Sequence, residues 1–229
     1  MSGPVAIITG GSRGFGRALA EDLAHSGWSV VIDARGSEAL TATTAGLNGV
    51  IAIAGDINDA AHRAALIRAA RDLGPLTLLV NNASILGPSP QPHLADYPLS
   101  VLSDVYAANV IAPLGLVQAA IGDLHANDGT VVNITSDAGT EAYEGWGGYG
   151  SSKAALDHWS RVLAAEEPAL RVYSFDPGDM RTQMHQDAFP GEDISDRPSP
   201  ESVVPALRRL LEASPPSGRY TAAELAGTL

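Results

Sequence analysis

Residues 5–25 read VAIITGGSRGFGRALAEDLAH, and the change of rhythm inside them decides the fold. The opening VAIIT is a short apolar run rich in β-branched residues, as a buried strand requires. From Arg17 to His25 the apolar positions return at helical spacing, with Leu19 and Leu23 on one side. Glycines at 10, 14 and 16 stand between the two. Strand, glycine turn and helix in that order let backbone approach a pyrophosphate, while the helix amino terminus offers unpaired N–H groups and a positive dipole end. A glycine pattern alone could serve any tight turn; its place between a strand and a helix makes it specific.

The alternation continues along the chain. Further strands are expected at 29–33, 50–54, 77–80, 130–135, 171–175 and 218–221, with helices between them. Such a pattern implies an α/β fold in which a parallel, doubly wound sheet of about seven strands is covered on both faces by helices. With 229 residues, 45% of them hydrophobic, the chain can build one sizeable core, and we expect a single domain over 1–229. Two segments interrupt the pattern, 84–98 and 177–200, both rich in proline and polar residues. Long loops in a compact domain are usually functional, and the second is expected to be a lid over a substrate.

Ligands of an open α/β sheet bind at the carboxyl ends of its strands. Ser136 follows the run GTVVNIT (129–135), so its hydroxyl belongs at that edge. Tyr149 and Lys153, in YGSSK, lie four residues apart and share a face if the segment is helical. A tyrosine ordinarily titrates near pH ~10, so it is a poor acid at neutral pH and needs a cation beside it. The ammonium of Lys153 is expected to favour the phenolate and lower that value. By itself the YxxxK spacing is more often an ordinary solvated pair; the glycine turn and Ser136 change the odds.

With these motifs in this order the chain resembles the classical short-chain dehydrogenase/reductase family, over nearly its whole length. TGGSRGFG (9–16) matches that family's TGxxxGxG motif, and Asp56 in GDI matches the acidic residue that contacts adenine. Asn81, Asn82 and Ala83 match NNAG, with Ser84 in place of the last glycine, a small polar change expected to matter little. Asn109, Ser136, Tyr149 and Lys153 fall on the catalytic tetrad, and Pro177, Gly178 and Thr182 on the PG motif and its downstream threonine. The resemblance implies a Rossmann-type domain with an NAD(P) site at Gly10, Ser12, Arg13, Gly14, Phe15, Gly16, Arg35, Asp56, Ile57, Asn82, Ala83, Tyr149, Lys153, Pro177, Gly178 and Thr182. It also implies reversible hydride transfer between the nicotinamide and a carbonyl or alcohol carbon. Ser136 would hold the oxygen, Tyr149 would act as acid and base, Lys153 would tune Tyr149 and bind the nicotinamide ribose, and Asn109 would hold a water leading from Lys153 to solvent.

Cofactor choice turns on the end of the second strand, where a carboxylate selects the ribose 2′-OH of NAD and an arginine accommodates the phosphate of NADP. The selecting position falls at Ala34, next to Arg35, and Arg13 lies inside the glycine turn. A guanidinium grips phosphate in a forked geometry, so NADP(H) is expected over NAD(H). Asp33 stands one position early, and strand alternation should turn it to the other face unless a bulge intervenes.

For the substrate, Ser136, Asp137, Tyr143, Trp146, Tyr149, Met180, Met184 and Phe189 belong to segments that should flank the nicotinamide. Their aromatic and thioether groups suit a small apolar or ring-containing carbonyl compound or alcohol. Asp179, Asp187, Glu192, Asp193 and Asp196 make the lid acidic, which disfavours an acidic carrier protein and ranks a 3-oxoacyl-carrier-protein reductase lower. The six histidines show no metal-ligand spacing, and no metal is expected.

A net charge of −12 argues against nucleic acid or an anionic membrane surface as partner. No run of about 18 consecutive apolar residues and no signal-like start are present, so a cytoplasmic protein is expected, and the absence of cysteine excludes disulfides. Segments 101–121 and 154–165 are apolar almost all round, more than one packed face needs, so a homodimer or homotetramer is expected. Two other functions compete: a non-catalytic NAD(P)-sensing or partner-binding protein, which would not need Ser136, Tyr149 and Lys153, and a sugar-nucleotide epimerase, which needs a further substrate domain.

Overall fold

The apolar runs become strands, and the computed structural model describes residues 3–227. β1 (Val5–Ile8), β2 (Ser29–Ala34), β3 (Val50–Ala54), β4 (Leu76–Asn81), β5 (Thr130–Ile134), β6 (Arg171–Asp176) and β7 (Gly218–Thr221) form one sheet in the order β3-β2-β1-β4-β5-β6-β7. Every pairing is parallel, so each connection must cross over the sheet. The expected α/β fold is therefore the observed one, with strand ends displaced by one residue at most.

Helices cover both faces, and each face has its own core. On one side α1 (Gly14–His25) and α8 (Pro200–Ala213) pack Leu19, Leu23, Leu207 and Leu210 against Ile8, Ile32 and Val132. On the other, α3 (Ala60–Leu73) and α5 (Ala112–Ala126) pack Leu66, Ile67, Leu116 and Leu124 against Ile7, Val31, Leu79 and Val131. Residues 7 and 8, like 31 and 32, thus point to opposite faces as strand alternation demands. Burying each such side chain stabilises the fold by about 1.5–3 kcal/mol. A buried polar ladder crosses the sheet too: Asn81 Nδ2 donates to Asn133 Oδ1 at 2.8 Å, and Asn133 Nδ2 donates to Ser160 Oγ at 2.8 Å. It ties β4 and β5 to α6 (Gly147–Glu166), the helix that carries Tyr149 and Lys153.

The segment before β5 begins as α4 (Leu99–Tyr106), widens into a π-turn at Ala107–Ile111, and resumes as α5. Pro113 explains the widening: it has no N–H to give to the carbonyl four residues earlier, at Asn109, and its ring would clash there. By length and composition alone Leu99–Ala126 could pass for a membrane span, yet Val105, Leu116, Val117, Ala120 and Leu124 are buried in the protein. Among the elements between the strands, α2 (Ser37–Thr44) is the shortest before β4. Segment 177–200 is not wholly loop, since it holds α7 (Gln183–Ala188), capped by the Thr182 hydroxyl accepting from His185 N–H.

Candidate active site

The sheet order reverses between β1 and β4, and the crevice at their carboxyl ends is where such folds bind ligands. A cavity of about 750 Å³ opens there, running from Gly10, Arg13 and Arg35 past Ala83 to Ser136, Tyr149 and Lys153.

Its floor is set by the turn after β1. Gly10 has φ +67°, a left-handed conformation, and an added Cβ would lie 2.9 Å from the Ala83 Cα. The Asn82 amide donates to the carbonyls of Thr9 at 2.8 Å and Gly10 at 3.2 Å, and the Thr9 hydroxyl accepts from the N–H groups of Asn82 and Ala83. Gly16 does not line the cavity, contrary to expectation; its missing side chain lets α1 close on the Asn82 amide and the Gly10 carbonyl. No side chain caps the amino end of α1, and no acidic residue occupies its first turn. Its first N–H groups are left for an anion.

At the end of β2, Asp33 turns away from Ala34 as alternation requires, and the β2–β3 register runs without a bulge from Val30 to Ala34. Both its oxygens are engaged: Oδ1 accepts from Gly10 N–H at 2.8 Å, and Oδ2 meets His62 Nε2 at 3.0 Å. The pair is buried, with side-chain exposures of 2% and 6%. His62 escaped the sequence reading because its partner lies in another element. The exposed guanidinium groups of Arg13 and Arg35 border the same end of the cavity and have no ion pair among the described residues. Asp56 and Ile57 line it as well, with Asp56 Oδ1 accepting from Asn58 N–H at 2.9 Å.

At the other end, α6 begins at Gly147, so both Tyr149 and Lys153 lie on it. Both are buried, at 8% and 3% exposure. Lys153 Nζ donates to the Ile134 carbonyl at 2.8 Å and stands 5.4 Å from the Tyr149 ring centroid. Burial draws the ammonium down to about 8, with Asp157 and Asp176 opposing the fall. Burial likewise drives the Tyr149 phenol upward; a hydrogen bond with Ser84 works against that rise, while the negative charges of Asp176 and Asp137 add to it. This corrects the expectation that Lys153 lowers the phenol: desolvation outweighs any charge effect, and the ammonium is held by a carbonyl. Ser136 Oγ donates to Asp137 Oδ1 at 3.0 Å, and Tyr143 donates to Asp137 Oδ2 at 2.9 Å.

The Asn109 side chain is fixed by its neighbours. It is 1% exposed and does not line the cavity. The π-turn directs it to Ile85, whose N–H it accepts at 2.9 Å and whose carbonyl it meets at 2.9 Å. Its Nδ2 also donates to Ser152 Oγ at 3.0 Å, and its Oδ1 accepts from Ser84 Oγ at 3.1 Å. All four positions of the side-chain amide are taken, which leaves for a water only the Asn109 backbone carbonyl, deprived by Pro113 of its partner four residues on. The signal that could have shown this is Pro113, four residues on.

Beneath Lys153 lies a charge cluster that spacing did not show. Arg219 on β7 meets Asp176 at 2.7 Å and Asp157 at 3.4 Å, and Asp176 Oδ1 accepts from Gly178 N–H at 2.9 Å. Asp176 itself is raised, chiefly by burial. Of the residues expected to meet substrate, Trp146, Met180 and Met184 line the cavity with Tyr149 and Ser136. Tyr143 does not; it is 47% exposed at the rim, drawn there by Asp137. Phe189 packs on Trp146 and His185 behind the wall. Pro177, Gly178 and Thr182 line the cavity, although the Thr182 hydroxyl is engaged in capping α7. Among the described residues no cluster of three or more His, Asp or Glu could hold a metal.

Comparison with known proteins agrees with this architecture. Residues 4–193 match the sequence profile of the short chain dehydrogenase family. Sepiapterin reductase of Mus musculus is 35% identical over 199 residues, 80% of this chain and 76% of that protein. A short chain dehydrogenase from Pseudomonas syringae superposes with a TM-score of 0.88 at 30% identity, covering 96% of this chain and 94% of that one. Another, from Shigella flexneri and complexed with NADP, gives 0.86 at 28% identity, covering 96% and 97%. The chain belongs to the short chain dehydrogenase family of oxidoreductases.

Proposed function

We propose that the protein is an NADP(H)-preferring carbonyl reductase acting reversibly on a small apolar or ring-containing substrate. One observation carries the reading: a single cavity joins an uncapped helix terminus and two arginines without an ion pair among the described residues to Tyr149, Lys153 and Ser136. The first end suits a dinucleotide bearing an extra phosphate, and the second suits an oxygen that gains a proton. Asp33 lines the same end of the cavity, with Oδ1 accepting from Gly10 N–H and Oδ2 meeting His62. Arg13 and Arg35 remain for a 2′-phosphate, in keeping with the NADP bound by the Shigella flexneri relative.

The nicotinamide, when bound, supplies the hydride that adds to the carbonyl carbon. Tyr149 gives its proton to the carbonyl oxygen, and Ser136 turns its hydroxyl from Asp137 to hold that oxygen. A phenol raised by burial keeps its proton at neutral pH, as a donor must. Lys153 contributes charge and a hydrogen bond to the ribose. Trp146, Met180 and Met184 offer an apolar face to the substrate, and segment 177–200 serves as the lid that excludes water.

Exposed Ile111 and Val162, 63% and 41% accessible, fit association into a homodimer or homotetramer, which sedimentation would read. The enzymatic reading is tested with a panel of ketones, aldehydes and quinones while loss of NADPH absorbance is followed. Tyr149→Phe should keep cofactor binding and lose turnover by about 10²- to 10⁴-fold; turnover at the wild-type rate would remove Tyr149 as the proton donor.

A further inference from the structure

Strand alternation sends Val172, Ser174 and Asp176 of β6 toward α6, while Tyr173 and Phe175 enter the opposite core. β7 runs parallel beside β6 with Arg219 in register with Ser174, so the guanidinium lies on that same face. There it meets two buried carboxylates. Arg219 Nη2 donates to Asp176 Oδ2 at 2.7 Å, and Arg219 Nε stands 3.4 Å from Asp157 Oδ2 on α6. The side chains of Asp176 and Asp157 are 8% and 10% exposed. Among the described residues no other cation lies within ion-pair distance of either carboxylate, and the Asp157 oxygens accept no hydrogen bond.

Of these three residues only Asp176 borders the cavity. It lines the reactive end with Pro177, Gly178, Tyr149 and Lys153, and its Oδ1 accepts from Gly178 N–H at 2.9 Å, which ties the carboxylate to the turn after β6. Arg219 grips the same carboxylate from behind the wall. A nicotinamide able to pass hydride to a carbon whose oxygen takes the Tyr149 proton must lie at this end. Its ring is positively charged when oxidised and neutral when reduced. A buried carboxylate beside it therefore favours the oxidised form, and a counter-charge behind that carboxylate opposes the bias.

We propose that Arg219 is a positioning residue which, by holding and neutralising Asp176 from behind the cavity wall, sets the preference of this site for reduced over oxidised cofactor. This rests on the reading of the cavity as a dinucleotide site. With the guanidinium in place, the charges of Asp157 and Asp176 are matched by those of Arg219 and Lys153. Without it the reactive end keeps an excess negative charge that would retain NADP⁺ after hydride transfer. The balanced arrangement suits a reductase, which must take up the reduced form and release the oxidised one.

The test measures dissociation constants of NADPH and NADP⁺ by calorimetry at neutral pH, without substrate, for wild type, Arg219→Met, Arg219→Lys and Asp157→Asn. Arg219→Met should tighten NADP⁺ relative to NADPH by about three- to tenfold, the effect of one charge acting through protein rather than water. Arg219→Lys, which keeps the charge, should hold the ratio near that of wild type. Asp157→Asn removes a carboxylate that has no hydrogen bond to lose, so it keeps the fold and should move the ratio the other way by a similar factor. It gives the answer even where Arg219→Met folds poorly. A purely structural Arg219 would weaken both forms together and leave their ratio where it was. An unmoved ratio in either folded variant, or a lysine variant that behaves like the methionine one, overturns the proposal alone. Failure of wild type to bind either form would overturn the functional reading and the proposal with it.

Discussion

Lys153 is the chain's single lysine, so its charge can be followed without interference. Its ammonium is drawn from 10.5 to about 8 by burial. A fall of roughly 2.5 units corresponds to about 3 kcal/mol, the cost of holding that charge inside the fold. The sign follows from which state holds the proton. Below pH 8 both folded and unfolded chains are protonated and the penalty is complete; between 8 and 10.5 only the unfolded chain keeps its proton, so stability rises with pH until the penalty is gone. Lysine labelled with ¹³C at Cε should give one side-chain resonance titrating near pH 8. Denaturation of wild type and Lys153→Met should diverge over the same window, wild type gaining about 3 kcal/mol relative to the variant. The tyrosines cancel in this difference because both proteins contain them. Asp176→Asn should move the resonance midpoint lower still, since Asp176 supports the ammonium. A midpoint at 10 or above, or two stability curves running parallel from pH 8 to 10.5, would refute the account of a desolvated ammonium.

Two further perturbations probe the other end of the cavity. His62→Ala leaves Asp33 Oδ2 buried without its partner and should destabilise the fold by about 3 kcal/mol in denaturant titration, whereas an exposed histidine would cost almost nothing. Arg35→Asp should weaken NADPH binding at least tenfold, one charge-assisted phosphate contact being worth about 1.5–3 kcal/mol, and leave NADH binding equal or better; an unchanged ratio in calorimetry would mean that Arg35 does not meet the 2′-phosphate.

What could be read from the sequence was what periodicity controls. The face taken by Asp33 followed from strand alternation, and the sharing of one helix by Tyr149 and Lys153 followed from their spacing of four. The glycine turn placed the ligand end of the sheet, because only glycine tolerates the Gly10 conformation and the Gly16 packing. What escaped depends on partners far away in the chain. His62 gains its meaning from Asp33 across two elements, and Arg219 from Asp157 and Asp176. The setting of Asn109 has a nearer cause: the π-turn before Pro113 directs its side chain to the backbone of Ile85.

The electrostatics of Tyr149 and Lys153 show why spacing cannot replace burial. A lysine four residues from a tyrosine suggests a lowered phenol only if the two charges meet in a medium that tolerates them. Here both groups lie under 10% exposed, and desolvation disfavours phenolate and ammonium alike. The result is a phenol that holds its proton and an ammonium that holds its own less tightly, with Asp157 and Asp176 beneath the lysine to retain its charge. Such burial keeps Tyr149 in its phenol form and makes it a weaker acid than an exposed tyrosine, the opposite of what the spacing alone suggests.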